Sequence, residues 1–123
     1  MRLLLDTHVI LWWLGDDSTL GDDVKETIDT EVDVFVSAAT IWEVSIKQAL
    51  GKLRPADLPE RILASGLSEL AVTAKHGITA GRLPPIHRDP FDRMLIAQAS
   101  DEGLTLATRD TNIAKYDAPL LLV

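Results

Sequence analysis

The sequence predicts an α/β domain in which a central parallel sheet of about five strands carries helices on both faces. Short apolar runs recur along the whole chain, and segments with helical spacing or helix-end signals fall between them. No internal repeat, low-complexity tract or linker interrupts that alternation. With 123 residues and 46% hydrophobic content the chain has material for one core, so residues 1–123 are read as a single domain.

Leu3, Leu4 and Leu5 form an apolar run that Asp6 ends, the first strand; the apolar stretch 9–14 stops at Gly15-Asp16-Asp17 and reads as a short helix. Val24 and Ile28 keep helical spacing within 22–30, and Val34-Phe35-Val36 is the β-branched and aromatic run of a second strand. Segment 40–50 places Ile41, Val44 and Leu50 on one face with Gly51 as its stop, and 57–64 opens with Asp-Leu-Pro-Glu and ends near Gly66. Both are expected helices. Leu70-Ala71-Val72 reads as the third strand, and a helix over 74–82 precedes Pro84-Pro85. Segment 90–102, entered by Asp89-Pro90 and closed by Gly103, carries the strongest helix signals in the chain. Segments 104–107 and 120–123 are the last two strands, with a short helix near 111–115 between them.

Composition narrows the function classes. There is no cysteine, which excludes a disulfide framework and a thiolate zinc site. The apolar stretch 9–14 is far shorter than the roughly 20 residues of a membrane span, and no signal-peptide pattern is present, so the expected location is the cytosol. A net charge of −7 argues against broad adhesion to nucleic acid, though not against a local site, and it suits storage against a basic partner segment.

Four acids, Asp6, Glu43, Asp92 and Asp110, stand near the starts of expected helices. Each has an ordinary alternative as a helix cap: Thr40-Ile41-Trp42-Glu43 and Asp89-Pro90-Phe91-Asp92 put a carboxylate at the third helical position, and Asp6 and Asp110 could each cap the helix next along the chain. Taken together they point elsewhere. In open α/β sheets ligands bind beyond the carboxyl ends of the strands, and acids gathered there repel one another unless a cation relieves them. Hard Mg²⁺ or Mn²⁺ takes such oxygen donors, which makes a metal-dependent phosphodiester site the leading expectation.

These residues resemble the motif set of the PIN-domain nucleases, in particular the VapC-type ribonuclease toxins of toxin–antitoxin pairs. Residues 3–8, LLLDTH, followed by LWWL at 11–14, look like the first strand, first acid and first helix; SAATIWE at 37–43 matches the second acid segment. The most specific piece is HRDPFDRMLIAQA at 87–99, and LATRD at 106–110 matches the fourth acid. The resemblance runs through the whole chain in the expected order. It implies that Asp6, Glu43, Asp92 and Asp110 are the catalytic, metal-binding quartet, with Thr108 helping through its hydroxyl. Some relatives have a further acid near the position of Asn112, where an amide could hold a water ligand. Asp89 could join the outer shell, although its place before Pro90 favours capping. His87 could touch substrate, and Arg88, Arg93 and Arg109 could clamp phosphate, the ordinary reading being an ion-paired surface. The three histidines show no zinc-ligand spacing.

The implied reaction is hydrolysis of an RNA phosphodiester by a metal-activated water, with Glu43 orienting or deprotonating that water and a second ion able to stabilise the leaving oxygen. Such a route leaves a 5′-phosphate and a 3′-hydroxyl. The resemblance also implies a VapB-like antitoxin whose tail lies among the acids, docked near Trp12 and Trp13, and a homodimer. Competing readings are a PIN-like scaffold that only binds protein or RNA, a flap-endonuclease-like DNA activity, and a phosphatase with an aspartyl nucleophile. The phosphatase reading expects an acid two residues after the first, where His8 stands.

Overall fold

A computed structural model describes residues 1–123. Its five strands are β1 (Arg2–Leu5), β2 (Asp33–Ser37), β3 (Ser68–Leu70), β4 (Thr105–Thr108) and β5 (Leu120–Leu122), all parallel in the order β3-β2-β1-β4-β5. Six helices connect them: α1 (Thr7–Leu14), α2 (Asp22–Thr30), α3 (Ala38–Ala49), α4 (Leu58–Leu63), α5 (Ala74–Arg82) and α6 (Pro90–Glu102). A 3₁₀ turn, Ile113–Lys115, takes the place of the short helix expected between the last two strands.

The β1 leucines show how the layers form. Side chains alternate across a strand, so Leu3 and Leu5 enter one core and Leu4 the other. The first core joins them to Val9 and Ile10 of α1, Ile28 of α2, Val34 and Val36 of β2, Val44 of α3 and Ile62 of α4. The second gathers Leu95, Ile96 and Ala99 of α6 around Leu4 and Leu106, with Ile113 and Tyr116. Helices therefore cover both faces, as the sequence predicts. Each fully buried leucine contributes about 1.5–3 kcal/mol relative to exposure.

Helix α6 is fixed at both ends. Asp89 accepts from the backbone N–H groups of Phe91 and Asp92, Pro90 occupies the first turn, and Gly103 closes the helix at φ 66°, a left-handed conformation that glycine adopts without strain. Helix α5 is pinned against it by buried His76, whose Nε2 meets Glu102 Oε1 at 2.8 Å, and by Thr79, which donates to Asp101. His76 also completes a capping box with Thr73, the structural role expected of an isolated histidine.

Two expectations shift in register. Strand β3 is Ser68–Leu70 rather than 70–72, because Phe35, Val36 and Ser37 pair with Ser68, Glu69 and Leu70, and the chain must then leave the sheet to reach the Thr73 cap. Helix α3 begins at Ala38, not beyond Thr40, because Ser37 is the cap and accepts from the Ala39 N–H. Glu43 thus stands well inside the helix. The capping-box alternative for it does not hold.

Candidate active site

The carboxyl ends of β1 and β4 and the N-terminal turn of α6 meet at a cleft of about 290 Å³ lined by Asp6, His8, Trp12, Asp92, Arg109 and Asp110. Parallel pairing puts Leu5 beside Ala107, so Asp6, just past the end of β1, and Thr108, the last residue of β4, come out side by side at the rim. Glu43 approaches from α3 behind them.

Asp6 sits at the N-cap position of α1 but makes no side-chain cap bond. Its Oδ2 instead accepts from the Thr108 hydroxyl at 2.6 Å, and the Thr108 oxygen accepts the Asp110 backbone N–H at 3.1 Å. One hydroxyl therefore ties two acids together. Glu43, buried to 6% exposure, accepts from Thr7 at Oε1 (2.7 Å) and pairs at Oε2 with Lys47 (3.0 Å); Thr40 lies 3.2 Å from the Thr7 hydroxyl. Asp110 accepts the Asn112 N–H at Oδ1 and faces His87 Nε2 at Oδ2, 3.0 Å away. Asp92 Oδ2 is equally near that nitrogen, but only the approach to Asp110 has hydrogen-bond geometry, so the Asp92 contact is off-axis.

Electrostatics separates these groups. Burial pushes the Asp6 carboxyl up, with the Thr108 bond opposing and the Glu43 charge adding to the rise. Asp92 is pushed up to about 7, first by desolvation, then by the neighbouring carboxylates of Asp89 and Asp6, against the pull of His87. For Asp110 burial acts upward, but the His87 bond and the Asn112 N–H outweigh it and hold the carboxyl below its ordinary range. The inward-facing donors are carboxylate and hydroxyl oxygens, with an imidazole at one edge and no thiol. Crowding that drives Asp92 upward is relieved by a positive charge among them, so the donor set fits a hard divalent cation.

Asp89 caps α6, the ordinary reading of its position. Asn112 supplies its backbone N–H to Asp110, and its side-chain oxygen accepts from Lys115 at 3.3 Å. Arg93 departs from the phosphate-clamp expectation. Its guanidinium donates to the carbonyls of Ala80, Leu83, Pro84 and His87, closing the end of α5 and the Pro84-Pro85 loop, and so holds the segment that carries His87. Arg109 does line the cleft: its guanidinium lies 4.8 Å from the Trp12 ring centre and its Nε donates to the Val123 backbone oxygen. Sequence reasoning missed Thr7, Thr40 and Lys47. The i, i+4 spacing of Glu43 and Lys47 was legible as a helix ion pair, whereas Thr7 reaches Glu43 and Thr40 only when α1 meets α3.

This parallel sheet with carboxylates at its C-terminal edge places the chain in a family. A model of the PIN domain matches residues 3–119, and the chain belongs to the PIN domain family. It is similar, at 26% identity over 122 residues, to ribonuclease VapC22 of Mycobacterium tuberculosis (strain ATCC 25618 / H37Rv), a match that covers 95% of this chain and 93% of that protein. Among solved structures, VapBC2 from Rickettsia felis bound to a promoter DNA fragment has a TM-score of 0.75 at 17% identity, covering 100% of this chain and 98% of that one. FitAcB from Neisseria gonorrhoeae has a TM-score of 0.67 at 20% identity, covering 98% and 96%. These structural likenesses show the fold. No helix is long and apolar enough to cross a membrane.

Proposed function

We propose that this chain is a VapC-type endoribonuclease that hydrolyses RNA phosphodiester bonds and is restrained by an antitoxin. The observation that carries the reading is the shared cleft of Asp6, Asp92 and Asp110, with Glu43 charge-coupled to Asp6 and Asp92 from α3. A PIN-family chain similar to a ribonuclease, with acids assembled this way, is equipped for phosphodiester hydrolysis.

Asp6, Glu43, Asp92 and Asp110 would hold Mg²⁺ or Mn²⁺, which when bound supplies an activated water and offsets charge on the phosphate oxygens. Thr108 keeps Asp6 and the Asp110 backbone in register, and Thr7 with Lys47 fixes both oxygens of Glu43, so the acceptor geometry is set before substrate arrives. In the metal-free cleft Asp92, pushed up to about 7, holds a proton below neutrality and releases it above. Arg109, anchored over Trp12, offers the cleft a cation for a nonbridging oxygen. Because water attacks and not the ribose 2′-hydroxyl, the products carry 5′-phosphate and 3′-hydroxyl ends, and the workplace is the cytoplasm.

The partner surfaces belong to the same reading. A groove of about 400 Å³ between α1 and α4, lined by Leu11, Leu14, Leu53, Pro55 and Leu58 with Arg54 and Arg61 at its edge, is where we place a VapB-like antitoxin. The expected docking face at Trp12 and Trp13 is partly engaged internally, since Trp12 lies under Arg109 and Trp13 donates to Asp29. Homodimerisation we place on the apolar groove of Ala38, Ala39, Trp42, Val72, Phe91 and Met94, where Trp42 stays 65% exposed. Inducible expression of the chain and of Asp6→Asn, with growth and RNA end-mapping followed together, tests the function. Growth arrest with new 5′-phosphate ends that disappear in the variant is the expected result. Ends bearing 2′,3′-cyclic phosphate, or cleavage that survives in Asp6→Asn, would overturn it.

A further inference from the structure

His87 stands between two carboxylates, in a place suited to a cation. Its Nε2 lies 3.0 Å from Asp92 Oδ2 and 3.0 Å from Asp110 Oδ2, and the donor atoms of the three residues all fall within 4.8 Å of one another. The other ring nitrogen is committed, because Nδ1 accepts the Asp89 backbone N–H at 3.2 Å. In the neutral imidazole that acceptor role leaves the single proton on Nε2. The ring thus presents an N–H, not a lone pair, to Asp92 and Asp110.

The backbone around the ring is held as well. The His87 N–H donates to Tyr116 Oη at 2.8 Å, the His87 carbonyl accepts from Arg93 at 3.3 Å, and Tyr116 Oη donates to Pro84 O at 2.7 Å. Coordination through Nε2 would need the ring proton on Nδ1, where it would meet the Asp89 N–H head-on.

We propose that His87 is a positioning residue whose Nε2–H, hydrogen-bonded to Asp110 and lying off-axis against Asp92, stands between the two in the metal-free protein and is displaced from that bridge when a divalent cation binds between them. The inference rests on the reading of the four acids as the metal-binding set. It gives the site an internal competitor: a cation must replace a charge-assisted contact before it gains the two carboxylates. Metal occupancy is therefore tuned by a side chain that is not itself a ligand.

Calorimetric titration of the full chain with MgCl₂ and MnCl₂ tests this in wild type, His87→Ala and His87→Gln, each checked first by thermal melting in chelator. Removing the bridge in His87→Ala is expected to tighten both ions by about tenfold. His87→Gln, whose amide can return an N–H to the same place, is expected to stay within about threefold of wild type. In ¹⁵N spectra of labelled histidine, Nε2 of His87 should be protonated before Mg²⁺ and remain protonated after it, with faster solvent exchange once the bridge opens. Weaker binding in His87→Ala, an unchanged Kd, or loss of the Nε2 proton on metal addition would each overturn the proposal. Wild type that binds metal and cuts RNA while His87→Ala binds no differently sinks only the bridge; wild type that binds neither ion sinks the metal-site reading and the bridge with it.

Discussion

Asp6 on the buried side of the cleft and Glu43 behind it are each held by a threonine hydroxyl, whereas Asp92 and Asp110 occupy the open side and share one imidazole. The inner pair is 5% and 6% exposed; the Asp92 and Asp110 side chains are 17% and 32% exposed. Hydroxyls fix oxygen positions but add no charge, and Lys47 offsets only the Glu43 carboxylate, so the inner half combines a rigid geometry with an Asp6 that has no cationic partner of its own. The outer half meets an imidazole that can give way, and Asp92 has no hydrogen-bond donor of its own beyond that off-axis contact. Electrostatic stress therefore collects on Asp92, which is pushed up to about 7. Placement is the task of one half, and charge response is the task of the other.

Each half is expected to have one acid that dominates the chemistry. Asp6→Asn and Asp92→Asn should each lower kcat/KM for metal-dependent RNA cleavage by on the order of 10³-fold, with Glu43→Gln and Asp110→Asn milder, while circular dichroism stays unchanged. Indistinguishable losses at all four positions would remove the distinction drawn between them. Next in size is Thr108→Val, which deletes the hydroxyl shared by Asp6 and the Asp110 N–H. Metal binding by calorimetry is expected to weaken by about 10- to 100-fold, and urea denaturation to show a loss of about 1–3 kcal/mol, because Asp6 is left buried without its donor.

A pH series sharpens the outer half. The folded Asp92 value is raised above its unfolded one, so the proton stabilises the fold at low pH and that contribution is lost as pH rises toward about 7. Asp6, also raised, acts in the same direction; Asp110, lowered, acts oppositely, its contribution being present above the ordinary carboxylate range and lost as pH falls through its depressed value. Metal-free protein should therefore become less stable between about pH 4 and 7. Asp92→Asn should flatten that slope and gain roughly 1–3 kcal/mol at pH 7.5, but not at pH 4, in chelator melts. The same linkage makes metal affinity climb with pH until Asp92 is ionised. The smallest effect belongs to Asp89→Asn. Since Asn caps helices about as well as Asp, stability should stay within about 0.5 kcal/mol.

How much of this was legible in the sequence can be judged residue by residue. The parallel α/β fold, the ends of α6 at Asp89 and Gly103 and the two-faced covering of the sheet come from local patterns, because strand alternation and helix-end chemistry act over a few residues. The start of α3 was missed, since Thr40 looks as good a cap as Ser37 until strand β2 fixes where the chain leaves the sheet. Arg93 could have clamped phosphate on sequence grounds, and only the packing of α5 beside α6 shows its guanidinium spent on backbone carbonyls.

By itself the sequence determined which chemistry was at hand: four acids, no thiol, and the strand and helix signals that put those acids near the ends of elements. Tertiary structure alone decided which partners they meet. Contacts such as Thr108 to Asp6 span 102 positions, and the bridge from His87 to Asp110 spans 23. No local propensity encodes them; they exist because parallel pairing and helix packing bring separate segments to one edge, where burial sets what each charge costs.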